Sequence, residues 1–146
     1  MIGISKLYCG TVEASDPLRY GRRSNELPSH LLQFSSDKKP VVVWNCTSAC
    51  NLKCVHCYAS AGRLHAKNEL TTQEGFSLID DLKDYGSPVV LFSGGEPLMR
   101  EDLTGLIRRT VKSKMRAVIS TNGTLITQDR AMELADCGLS YIGVSL

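Results

Sequence analysis

No stretch of this 146-residue sequence is apolar for more than four residues in a row, the longest being Val41 to Trp44 and Val89 to Phe92. A bilayer-spanning helix needs about 20 such residues, so none is expected. The N-terminus, MIGISKLYCG, also lacks the apolar core of a secretory signal, because Lys6 interrupts it. Neither sign of charge dominates: 17 basic side chains stand against 15 acidic ones, for a net charge of +2. With the basic residues scattered among acidic ones, a nucleic-acid-binding surface is not expected. Only 22% of the residues are charged, too few for disorder. Six cysteines are about 4% of the chain, below the ~8–10% of a secreted disulfide scaffold. The expected setting is therefore a reducing cytoplasm, where clustered cysteines are more often metal ligands than disulfides. There, Asn45-Cys46-Thr47 and Asn122-Gly123-Thr124 match the glycosylation sequon only by chance.

What is present is a regular alternation. Residues 1–40 are broken by Asp16-Pro17, Gly21, Leu27-Pro28 and Lys39-Pro40 and read as an N-terminal extension. From Val41 a core domain begins and continues to residue 146. Val41-Val42-Val43-Trp44 and Pro88-Val89-Val90-Leu91-Phe92 are continuous apolar runs typical of strands covered on both faces, as in a parallel sheet. Ala117-Val118-Ile119 and Tyr141-Ile142-Gly143-Val144 add two more strands. Between them lie three helices. The first spans residues 70–85, with capping-box spacing at Thr71 and Glu74, Phe76, Ile79 and Leu82 on one face, and Gly86 as its stop. The second carries Leu103, Leu106, Ile107 and Thr110 at helical spacing, and the third, capped by Thr127, carries Ala131, Leu134 and Ala135 and ends at Gly138. The β-α-β-α-β-α-β order requires parallel strands and right-handed crossovers. A doubly wound sheet and part of a (β/α) barrel both satisfy it, and both place chemistry at the C-terminal ends of the strands. Because the fourth strand runs into Leu146, the chain is expected to be the N-terminal part of a longer protein.

The unusual motifs all fall at those strand ends: a cysteine loop after the first strand, Ser93-Gly94-Gly95-Glu96-Pro97 after the second, and Ser120-Thr121-Asn122-Gly123 after the third. Cys50, Cys54 and Cys57 have the spacing C-x3-C-x2-C. Three thiolates on one short loop suit three corners of a cubane iron–sulfur cluster, leaving one iron without a protein ligand. Zinc is the alternative, with His56, His65 or Cys46 as fourth ligand, but closed zinc sites usually pair their cysteines as two knuckles and only Cys54 and Cys57 form one. Cys46, Cys9 and Cys137 read as free thiols, Cys46 buried in its strand. Gly94 and Gly95 are expected to leave room for a ligand to approach the backbone, and Pro97 fixes the turn after the acidic Glu96. Taken alone, that segment reads more readily as an ordinary strand-to-helix turn with a solvated Glu96; the cysteine loop reverses the preference.

The cysteine loop, followed about 35 residues later by Gly94-Gly95-Glu96-Pro97, resembles the radical S-adenosylmethionine (radical SAM) superfamily over residues 41–146. The resemblance implies the N-terminal portion of a partial (β/α)6 TIM-like barrel, with about four of its parallel strands present. It implies that Cys50, Cys54 and Cys57 bind a [4Fe-4S] cluster whose open iron chelates SAM. It also implies that the Gly94, Gly95, Glu96 and Pro97 loop contacts the SAM amino group, that His56 packs near the adenine, and that Ser120, Thr121 and Asn122 line the SAM pocket. An aromatic is commoner at the position of His56, and an imidazole also stacks. The implied chemistry is one-electron cleavage of SAM to methionine and a 5′-deoxyadenosyl radical, with an external donor of ferredoxin or flavodoxin type and an oxygen-labile cluster.

Within the superfamily, Ile4-Ser5-Lys6-Leu7-Tyr8, Leu18-Arg19-Tyr20-Gly21, Leu27-Pro28-Ser29-His30-Leu31-Leu32 and Lys39-Pro40-Val41-Val42-Val43-Trp44-Asn45 resemble enzymes of alternative haem and haem d1 biosynthesis. Among these, the likeness is to 12,18-didecarboxysiroheme deacetylases, which remove acetate side chains from an iron tetrapyrrole. Cys-Asn-Leu-Lys-Cys and His-Cys-Tyr are shared with peptide-modifying enzymes, so a peptide substrate stays as an alternative, as does a non-enzymatic iron–sulfur or zinc protein. A tetrapyrrole's carboxylates would suit guanidinium forks, for which Arg19, Arg22, Arg23 and Arg63 are candidates. The isolated chain is expected to bind a cluster weakly and not to turn over.

Overall fold

A computed structural model describes residues 39–145. Cys9, Arg19, Arg22, Arg23 and nearly all of the expected extension lie outside the described residues. From there the chain alternates strand and helix: β1 (Val42–Thr47), α1 (Thr72–Tyr85), β2 (Val89–Gly94), α2 (Leu103–Lys112), β3 (Arg116–Thr121), α3 (Gln128–Asp136) and β4 (Tyr141–Val144), with a 3-10 turn at Pro97–Met99. Every strand pair is parallel, and the order across the sheet is β1-β2-β3-β4. That order decides between the two architectures. A doubly wound sheet reverses direction at a switch point, whereas a sequential order with right-handed crossovers places the helices on one face. The fold is accordingly α/β, a four-stranded partial (β/α) barrel.

The covered face is set by strand alternation. Val90, Phe92, Ala117 and Ile119 are buried on it, and Trp44 packs beside Phe92 with ring centroids 5.6 Å apart. Ile79 of α1 and Leu103, Leu106, Ile107 and Thr110 of α2 close over them, as their spacing predicts. Gly75 lets the helix approach: a methyl there would sit 2.9 Å from carbons of both Trp44 and Leu106. The first helix begins at the expected capping box, Thr71 Oγ1 accepting from the Glu74 N–H and the Glu74 carboxylate from the Thr71 N–H, and ends at Gly86 with φ +87°.

Two expectations change. The strands run further than their apolar cores, to Thr47, Gly94 and Thr121, because Asn45, Ser93 and Ser120 alternate onto the face without helices and keep the backbone paired there. On α3, Leu134 is buried but Ala131 and Ala135 are exposed. Side chains outside the helix join the core instead, buried Cys137 within it and the partly buried Leu125, Ile126 and Leu139 packed against it.

Truncating Phe92 to Ala should lower stability by about 3–5 kcal/mol, while Ala131→Ser should change it by less than about 0.5 kcal/mol. Denaturant unfolding of both variants checks the pair.

Candidate functional site

The site begins where β1 leaves the sheet. Pairing slips between Asn45 and Thr47, so that Thr47 meets Gly94, and this bulge turns the chain into an excursion over residues 48–71. Ala49 and Gly62 form a parallel bridge across its base: the Cys50 N–H donates to the Gly62 carbonyl at 2.6 Å and the Gly62 N–H to the Ser48 carbonyl at 3.1 Å. Cys50 is thereby buried, while Cys54, His56 and Cys57 lie exposed on the outer part of the loop. Tyr58 reaches back from that part, its hydroxyl 3.1 Å from Ser93 Oγ and donating to Asn45 Oδ1 at 3.4 Å.

The Gly94-Gly95-Glu96-Pro97 segment packs directly against this departure. The Gly95 N–H donates to the Thr47 carbonyl at 2.8 Å and the Glu96 N–H to the Ala49 carbonyl at 2.7 Å. A methyl on Gly94 would overlap the Thr47 oxygen, and one on Gly95 the Ala49 oxygen. The room expected for a ligand at these two residues is therefore filled, on the Cβ side, by the chain's own backbone. Gly94 also has φ +128°, a conformation that glycine adopts without strain.

Glu96 is not solvated. Its side chain has no exposed surface and accepts from three donors: Leu98 N–H at 3.0 Å, Thr121 Oγ1 at 2.7 Å and Asn122 N–H at 2.8 Å. The end of β2 is thus tied to the end of β3, and neither Glu96 nor Thr121 presents side-chain surface to a ligand. Asn122 continues the connection toward the cysteines, donating from Nδ2 to Asn51 Oδ1 at 2.9 Å and lying 3.9 Å from Cys50 Sγ. Asn51 in turn donates to Thr124 Oγ1 at 2.7 Å. Cys50, Glu96, Thr121 and Asn122 are therefore brought together, Ser120 lies on the helix-free face, and His56 and Arg63 remain exposed.

Among the described residues, no three His, Cys, Asp or Glu side chains are gathered as a metal site, so the cysteines share one loop without converging. Their surroundings nonetheless suit thiolate ligands. Backbone N–H groups of Ala61 and Ala59, and then Ser60, outweigh desolvation and hold the Cys57 thiol below its ordinary pKa. Cys50 Sγ accepts the Leu52 N–H at 3.4 Å. Cys46 is the opposite case: burial pushes its thiol up to about 12, and its S–H donates to the Ser93 carbonyl at 3.4 Å. Cys137, also raised by burial, donates to the Leu134 carbonyl at 3.3 Å. Both are free buried thiols, Cys137 as its isolation in the sequence suggests and Cys46 as its place in the strand does, and the Nδ1 of His65 is occupied by Thr47 and Glu69. Of the candidate fourth zinc ligands, Cys46 is thus committed elsewhere, while exposed His56 and the Nε2 of His65 are not engaged among the described residues; as three thiol donors on one loop, Cys50, Cys54 and Cys57 suit three corners of a cluster.

Sequence reasoning misses two residues of this region. Arg100 is buried and donates to the Cys46 carbonyl at 2.6 Å, to the Leu70 carbonyl at 2.8 Å and twice to Asp102. Its place three residues after Pro97 is the one available signal. Glu69, 17% exposed, accepts from the Ser48 N–H and hydroxyl at 2.7 and 2.8 Å, the Ala66 N–H at 3.0 Å and the Thr47 hydroxyl at 3.1 Å. Burial alone would raise its pKa, but these hydrogen bonds and that of His65 prevail and hold it at about 2. Nothing in its sequence neighbourhood announces this.

A family model for the radical SAM superfamily matches residues 44–146. The Fe-coproporphyrin III synthase of Methanosarcina barkeri is 68% identical over 146 residues, all of this chain and 37% of that protein. An AdoMet-dependent heme synthase of Oleidesulfovibrio alaskensis is 41% identical over 115 residues, 79% of this chain and 30% of that protein. BtrN, solved in complex with AdoMet and 2-DOIA, shares the fold with a TM-score of 0.63 at 24% identity, over 73% of this chain and 46% of that one. The chain thus spans about a third of the length of these curated relatives. Among the described residues, no helix is long and apolar enough to cross a membrane.

Replacing Glu96 with Gln leaves one oxygen for three donors and should cost about 2–3 kcal/mol. Gly95→Ala should cost more, because the displaced neighbour is backbone. Equilibrium unfolding of the two variants tests the order.

Proposed function

This chain belongs to the radical SAM superfamily, and from that premise we propose that it supplies the cluster-binding part of an enzyme that removes acetate side chains from a sirohaem-derived tetrapyrrole. Superfamily membership implies use of a [4Fe-4S] cluster and SAM. The observation that carries the substrate class is the 68% identity to an Fe-coproporphyrin III synthase, which runs through the N-terminal residues as well as the core. That product name fits the removal of acetate groups from a didecarboxylated sirohaem in alternative haem biosynthesis.

In this reading Cys50, Cys54 and Cys57 hold the cluster, which supplies the electron for reductive cleavage of SAM to methionine and a hydrogen-abstracting 5′-deoxyadenosyl radical. An external one-electron donor, of ferredoxin or flavodoxin type, supplies that electron. The chain's own residues bind and orient. Gly94, Gly95 and Pro97 would set the backbone course beside the SAM amino group, with Glu96 and Thr121 holding that course from within. Asn122 and Ser120 would border the SAM pocket, and His56 would pack near the adenine. The cluster residues sit at the C-terminal edge of a parallel sheet, where βα loops build active sites.

The full-length enzyme, reconstituted anaerobically with iron and sulfide and given dithionite, SAM and didecarboxysiroheme, should release 5′-deoxyadenosine while the tetrapyrrole loses the mass of its acetate groups. Unchanged tetrapyrrole mass beside SAM cleavage counts against the substrate and turns attention to peptides; absence of 5′-deoxyadenosine counts against the radical chemistry itself. Cys54→Ala should abolish cluster and cleavage together, whereas Cys46→Ala should spare both.

A further inference from the structure

The cysteine excursion is closed at three successive levels, and its exposed thiols lie beyond the last. At the neck, Arg100 holds the carbonyls of Cys46, just before the excursion, and Leu70, at its returning end. One step further out, Glu69 joins Thr47 and Ser48 on the outgoing side to Ala66 and His65 on the returning side. The Ser48 hydroxyl is shared, accepting from the Ala66 N–H at 2.9 Å, and the Thr47 hydroxyl accepts from the Ala49 N–H at 3.1 Å. Then comes the Ala49–Gly62 bridge, which fixes the backbone of Cys50. Past it, the backbone bonds are two long turns, Cys57 N–H to Cys54 carbonyl at 3.3 Å and Ser60 N–H to Cys57 carbonyl at 3.4 Å.

We propose that Glu69 is a positioning residue that locks this stem and so presets Cys50 before iron arrives, leaving Cys54 and Cys57 to be drawn in by the metal. The inference rests on the cluster reading above for what the loop holds. Glu69 touches none of the three cysteines; it acts through Thr47 and Ser48. A carboxylate is suited to the task because it offers two acceptor oxygens to a set made only of donors, while a neutral side chain there would leave several of them without a partner. The ordering entropy of the segment around Cys50 is met by protein hydrogen bonds, so the metal has to order only the outer turns.

The test uses the full-length protein in its iron-free and reconstituted forms. In the iron-free wild type, amide exchange at Ser48, Ala49, Cys50, Gly62 and Ala66 should be slow, and exchange across residues 53–58 should be fast until iron and sulfide are added. Glu69→Ala should speed the stem amides at least tenfold, leave β2 and β3 amides unchanged, and more than halve the iron that Cys54→Ala removes. Glu69→Gln should fall between, and Ser48→Ala should give the same pattern more weakly if Glu69→Ala does not fold. Combining Glu69→Ala with Cys54→Ala should remove no more iron than Cys54→Ala alone. Stem amides that are fast in the iron-free wild type, or that do not respond in the Glu69 variants, overturn the proposal; so does full iron loading in Glu69→Ala beside a clear loss in Cys54→Ala. If Cys54→Ala loses no iron, the cluster reading fails, while the exchange data still decide whether Glu69 holds the stem.

Discussion

The side chain of Glu96 is the point on which the C-terminal edge of the sheet depends. Fully enclosed, it satisfies one donor from its own turn and two from the end of β3, while its backbone N–H reaches the Ala49 carbonyl just before Cys50. One residue therefore sets the spacing between the departures of three neighbouring strands. A buried carboxyl group is tolerable only where hydrogen bonds replace its hydration, and here both oxygens are engaged. The neighbouring glycines serve the same closure, since any side chain at Gly94 or Gly95 would force the β1 departure away from the turn.

Two carboxylates bracket the segment from Thr47 to Cys50. Glu96 grips it through backbone on the sheet side, and Glu69 grips it through Thr47 and Ser48 on the loop side. The side-chain oxygens of both are occupied by N–H and O–H donors beside the cysteine loop. The buried thiol of Cys46 complements this arrangement. It is four residues from Cys50, but burial keeps it protonated and its S–H points to the Ser93 carbonyl.

Much of the fold was legible because it is written in periodicities. The apolar runs located the strands, the capping box at Thr71 and Glu74 located the start of α1, and the spacing of Leu103, Leu106, Ile107 and Thr110 identified the buried face of α2. Strand ends were less legible, since Asn45, Ser93 and Ser120 look like loop residues until the sheet gives them a face to occupy. In the site, the thiol spacing and Gly-Gly-Glu-Pro were visible as local strings. The tertiary partners of Glu69 and Arg100 were not, because partners about 20 to 50 residues away in the sequence leave no trace beside the charged residue that binds them. A second reason for the two glycines was also hidden from the sequence: on their Cβ side they admit a neighbouring backbone.

Strand alternation divides the sheet into two sets of positions with different freedom to change. Val90, Phe92, Ala117 and Ile119 are interlocked with the helices, so altering one demands accommodation from several others. Val43, Asn45, Leu91, Ser93 and Ser120 share the opposite face with Tyr58 leaning over its rim, and the polar members at the strand ends owe little to that core. A change at the polar members of this second set is therefore felt at the mouth of the sheet, while the packing beneath it is left as it was.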